Sequence, residues 1–141
     1  MMRDQSRSGV AAVEFALILL PLMLLLFGGI EFGRLIWTRN ALQQTATATA
    51  RCVGVRQAPC ASAGAFNATR SVAFARTRAA SYSVALPVAA VTVNASASCS
   101  GQAGFARVVI STSFVTVVPL MRQALGSSAA INVAACFPNQ V

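Results

Sequence analysis

Polar and apolar residues are distributed very unevenly along the chain. A short polar stretch ends at Gly9, and an apolar run follows from Val10 to Ile30, broken by one charge, Glu14. Phe15 to Ile30 holds no charged residue at all. Twenty-one residues of helix at 1.5 Å each reach about 30 Å, enough to cross a hydrocarbon core. A single span must satisfy its own backbone, so helix is its expected form, with Pro21 and the Gly28-Gly29 pair as soft points.

Glu31 to Arg51 contains no proline and is rich in alanine and glutamine, so the helix is expected to continue past the apolar run. Phe32, Leu35, Ile36, Leu42 and Ala46 keep a rough 3.6-residue spacing, which predicts one packed face. Val10 to Cys52 would form a rod of about 65 Å. Val53 to Gly64 reads as a loop. A second helix is expected from about Phe66 to Ala80, with Asn67 near its cap and Phe66, Arg70, Phe74 and Arg78 at intervals of four.

Beyond it the pattern turns to alternation. Tyr82 to Leu86 and Val88 to Ala97 read as strand, the first demoted to an edge or bulge by Pro87. Cys99 to Gly104 reads as a turn. Phe105 to Val118 is the strongest strand, Leu120, Met121 and Leu125 suggest a helical turn, and Ile131 to Cys136 a last short strand. The fold class is therefore α+β: a long N-terminal helix, a second helix and a roughly three-stranded antiparallel sheet.

Charge adds exclusions. All eleven basic residues are arginine, there is no histidine, and the acids are Asp4, Glu14 and Glu31, for a net charge of +8. The arginines are scattered and the chain has one Trp and one Tyr, which argues against nucleic acid as a partner. Three scattered acids and no histidine leave little material for acid–base catalysis or for a metal site, so no catalytic residue, metal or cofactor is expected.

The four cysteines allow three pairings. The favoured one joins Cys52 to Cys60 around a short loop holding Gly54 and Pro59, and Cys99 to Cys136 across two late strands. Disulfides imply an oxidising compartment; the alternative is four reduced, buried thiols.

Glu14 is the residue with most to say about function, because an ionisable side chain in a hydrocarbon core is costly. It lies five residues after Gly9, which closes a leader carrying Arg3 and Arg7. The stretch SGVAAVEFALILLPLMLLLFGGIEFGRLIWTRNALQQ, Ser8 to Gln44, resembles the TadE-like pseudopilins of tight-adherence (Flp-type) pilus systems. The resemblance implies cleavage between Gly9 and Val10 by a prepilin peptidase on the cytoplasmic side. Glu14 and Phe15 would then be the fifth and sixth mature residues, with Glu14 neutralising the Val10 ammonium of a neighbouring subunit.

It further implies a pilin-like layout: leader 1–9, transmembrane helix 10–30, periplasmic extension 31–52 and periplasmic head 53–141. The protein would cross the bacterial inner membrane once, N-terminus inside. Its partners would be other pilins or pseudopilins, the peptidase and the inner-membrane assembly platform. Phe15 replaces the tyrosine usual in the main Flp pilin, and the head is large, which favours a minor pilin or pseudopilin. Two other readings of the apolar run compete: an uncleaved anchor bearing a periplasmic binding or scaffold domain, and a secretory signal cleaved near Ala46-Thr47-Ala48, disfavoured because that site lies beyond Glu31, Arg34 and Arg39.

Overall fold

The computed structural model describes residues 5–117, 122–123, 126 and 128–140. Helix α1 spans Gln5–Gly54 as one element of 50 residues. It passes through Gly9, Pro21 and the glycine pair without ending. It also begins before Val10, because only Gly9 in its first turns opposes helix, at a cost of about 1 kcal/mol. The minimal hairpin β1 (Ala61–Ser62) and β2 (Ala65–Phe66) follows, then helix α2 (Ala68–Ala80), a 3₁₀ turn at Val88–Ala90, and strands β3 (Val91–Cys99), β4 (Gln102–Val115) and β5 (Ser128–Pro138). The last three form an antiparallel sheet in the order β3-β4-β5, which establishes the expected α+β class.

The buried face of α1 runs through Ala41, Leu42, Thr45, Ala46, Thr49, Ala50 and Val53. The two threonines are fully buried without an unmet hydroxyl, since Thr45 donates to the Ala41 carbonyl and Thr49 to the Thr45 carbonyl, at 2.8 Å each. Phe32 and Ile36, expected on this face, are exposed; of the expected set only Leu35, Leu42 and Ala46 pack inward. Alternate residues of the strands meet the face: Ala106, Val108 and Ile110 from β4, Ile131 and Val133 from β5, and Val91 from β3.

Helix α2 buries Ser71, Ala75 and Ala79. The four-residue series runs beside this face: Phe66 and Phe74 are half-buried against the cluster of Cys52, Val53, Cys60 and Ala106, while Arg70 and Arg78 are exposed. Small residues on α2 meet the small residues Ala46 and Ala50 of α1, and the absence of bulk lets the two helices lie close. Asn67 is the N-cap, its side-chain oxygen accepting from the Arg70 amide at 3.0 Å.

The connections account for the other departures from expectation. Tyr82 to Leu86 forms no strand, because the chain there closes α2. The Val84 amide returns to the Ala79 carbonyl and the Ser83 amide to Ala80, with Ser83 left-handed at φ 61°. Cys99 to Gly104 is mostly strand, since two residues, Ser100 and Gly101, both at positive φ, complete the turn. Ala63 and Gly64 make the same kind of turn between β1 and β2, within the stretch read as loop. β4 starts three residues before Phe105, and β5 extends beyond Ile131 to Cys136 at both ends. The suggested helical turn through Leu120, Met121 and Leu125 lies outside the described residues. Gly54 is sterically required: a Cβ there would lie 2.7 Å from the Phe137 ring and 3.1 Å from the Pro138 carbonyl.

Cys52 is bonded to Cys60 and Cys99 to Cys136, the two pairs favoured on sequence. The first is buried, whereas Cys136 is exposed. Mild reductant followed by alkylation and mass mapping should therefore modify Cys99 and Cys136 before Cys52 and Cys60. Ala75→Leu should overpack the α1–α2 contact and cost about 1–3 kcal/mol in thermal unfolding of the full chain in micelles, while Ala73→Leu on the exposed side of α2 should be nearly neutral.

Candidate functional site

Two carboxylates on α1 have opposite surroundings. Glu14 lies on the part of the helix that packs against nothing; Val10 and Phe15 beside it are exposed, and among the described residues Glu14 has no ion pair. Four residues apart, Val10 and Glu14 share a helix face. Gly9 has no packing role, since a Cβ built on it meets nothing within 4 Å. The Gly9-Val10 peptide sits inside continuous helix. This half of α1 is long and apolar enough to cross a membrane, and none of its most apolar stretch is buried in the protein.

Glu31 stands where the apolar run ends, and it is only 5 % exposed. Its Oε1 accepts the Val117 amide at 3.1 Å, across 86 residues of sequence, and its Oε2 accepts from Arg34 Nη1 at 2.9 Å. Arg34 is half exposed and lies 5.4 Å from the centre of the Phe114 ring. Burial alone would raise the Glu31 carboxyl. The Thr116 side chain, the Val117 amide and the Arg34 guanidinium together outweigh it and hold the group below its ordinary value of 4.5. Glu31 thereby ties the end of β4 to the base of the head. Beside it a small apolar cavity of ≈ 70 Å³ is lined by Phe32, Leu35, Phe114 and Ala129.

The cysteines expected to act as staples lie at the other end of the head, where α1 stops. Among the described residues no group of three or more His, Cys, Asp or Glu could hold a metal. The structure does not bring Gly9, Val10, Glu14 and Phe15 to any element of the head; they remain a linear site along one helix.

Residues 9–51 match the family of TadE-like proteins. The matched stretch begins at Gly9, contains Glu14 and Glu31, and ends one residue before Cys52. TadE-like proteins are a family associated with Tad pilus systems and not known for enzymatic activity. No curated protein and no solved structure matches the chain. The TadE-like segment thus covers the whole apolar run and most of the helix face on which the head is built, while the sheet lies outside it.

Sequence reasoning missed Glu31 as an anchoring residue. Its only signals were to be a lone acid at the end of an apolar run with Arg34 three residues on; the strand end that it holds, at Val117, lies 86 residues away. Glu31→Ala should release the end of β4 and cost about 1–3 kcal/mol, the range for a lost charged hydrogen bond. Because the folded-state carboxyl is held low, its contribution is present in full above the ordinary value of 4.5 and is lost as pH falls through the lower folded value. Denaturant unfolding in micelles should therefore show a gap between wild type and Glu31→Ala that is constant near neutrality and closes in acid.

Proposed function

We propose that the protein is a noncatalytic pseudopilin or minor pilin of a tight-adherence pilus or a related secretion machine. It would be made with a leader over residues 1–9 and cleaved between Gly9 and Val10 by a prepilin peptidase. Residues 10–30 would cross the inner membrane, 31–52 extend the helix into the periplasm, and 53–141 form the head. Its partners would be other pilins or pseudopilins and the inner-membrane assembly platform.

The observation that carries this reading is the TadE-like match starting at Gly9, on a helix whose one intramembrane charge has no partner within the described chain. A glycine with no packing role weakens the helix at the bond to be cut, and a peptidase needs that bond unwound. Cleavage would create an ammonium at Val10 and remove the charges of Arg3 and Arg7. In an assembly, the Val10 ammonium of one subunit can then meet Glu14 of the next. Such a desolvated pair sets register more than it adds affinity, since desolvation offsets most of the Coulomb gain.

A second reading draws on the unbroken helix through Gly9: an uncleaved anchor carrying a periplasmic binding or scaffold domain. N-terminal sequencing of protein from native membranes containing the peptidase separates the two. A chain starting at Val10, with Glu14→Ala processed normally but lost from pilus assembly, is the expected result. A chain retaining its leader, with Glu14→Ala fully functional, would leave the anchor reading.

A further inference from the structure

The head's lowest level, beside the end of the apolar run, has a composition of its own. Phe32, Ile36 and Trp37 on α1 are exposed, and so are Val115 and Val117 at the end of β4. The Glu31–Val117 hydrogen bond holds the two groups at the same height, so the head cannot stand away from the point where α1 leaves the apolar run. Trp37, the chain's single tryptophan, is 63 % exposed. It shares two adjoining clefts, of ≈ 390 and ≈ 230 Å³, with Tyr82, the single tyrosine. Gly33 and Arg34 form the lower rim of the larger cleft, and Arg78 stacks 5.8 Å from the centre of the Tyr82 ring.

Height decides what such a surface meets. From Ile30, residues 33 to 37 rise by about 5–10 Å, and helical side chains lean back toward the N-terminus. That interval is the headgroup layer, about 5–8 Å deep on each side of the hydrocarbon. Trp and Tyr favour this layer because their rings are apolar at one end and polar at the other. Charge points the same way. Beyond Glu31 the sequence has no Asp or Glu, whereas nine of its eleven arginines lie there. Only Arg34 has an ion pair among the described residues, so the head presents one sign of charge to its surroundings.

We propose that this face is a lipid seat: the head rests on the leaflet at the C-terminal end of the span, with Trp37 and Tyr82 in the headgroup layer and an anionic phospholipid headgroup at Arg78, which lies over the Tyr82 ring. The inference rests on the reading of α1 as a membrane span. It gives the aromatic rings of the clefts and the exposed valines a common apolar boundary, and gives Arg78 a counter-charge that the head itself lacks.

The test uses the full chain reconstituted in vesicles of phosphatidylcholine, alone or mixed with phosphatidylglycerol, with acyl chains brominated at shallow or deep positions. The single tryptophan makes quenching a report on Trp37 alone. Shallow bromines should quench more than deep ones, and brominated phosphatidylglycerol more than brominated phosphatidylcholine. Arg78→Gln should lower that preference about fivefold, from about 1 kcal/mol for a basic residue at an anionic surface. Protein that resists alkaline extraction while its Trp37 stays open to aqueous acrylamide and is untouched by brominated lipid would overturn the proposal and leave the span intact. Equal quenching by the two lipids would overturn the anionic assignment. Shielding that grows with protein-to-lipid ratio would mean a second copy covers the face, and shielding by added polyglutamate with vesicles inert would mean an acidic protein does; either overturns the lipid seat. Release of the protein by alkaline extraction would defeat the spanning reading, and the seat with it.

Discussion

The head exists because one half of α1 offers a continuous strip of small and medium residues from Ala41 to Val53, and the sheet and α2 have no other surface to close against. The three-stranded sheet has one apolar face to cover, and a thirteen-residue helix is marginal in water. Both become stable by burying that face against α1. Alanine and threonine let the strip be approached closely from two sides, and the threonine hydroxyls bond back to the helix's own carbonyls, so no buried polar group is stranded.

The same helix therefore serves two environments. Its first half is apolar on every side and packs against nothing in the chain; its second half is apolar on one face only. The change occurs at Glu31, and the two carboxylates of α1 differ because of where they fall relative to it. Glu31 is surrounded by donors of its own chain and is charged at a defined place in the fold. Glu14 has no such donors among the described residues. The head's acid-free, arginine-bearing surface repeats that logic on a larger scale: identical heads repel one another, and counter-charge comes from a different molecule.

Much of this was legible from single residues. The apolar run, the continuation of its helix, the Asn67 cap, the strong central strand and the two cysteine pairs all follow from local composition or from a limited set of pairings. What escaped sequence reading shares a cause. The packed face of α2 was not read from the sequence because Ser71, Ala75 and Ala79 have no bulk to signal burial, yet the close helix–helix contact needs residues of that kind. The β1–β2 turn at Ala63-Gly64 was hidden because alanine adopts a left-handed backbone only when paired strands impose it, whereas the turn at Ser100-Gly101 was read from the sequence and only its width was overestimated.

By itself, then, the sequence determined the anchor-like helix, the α+β class and the placement of Glu14 and Gly9 on a TadE-like segment, because periodicity, length and charge act over a few neighbouring residues. Only the tertiary structure decided which face of each helix is buried, that Glu31 fastens β4 to the base of the head, and that Trp37 and Tyr82 share a cleft at that level. Those outcomes depend on contacts between residues far apart in the chain, and a carboxylate's surroundings are fixed by whichever distant strand arrives beside it.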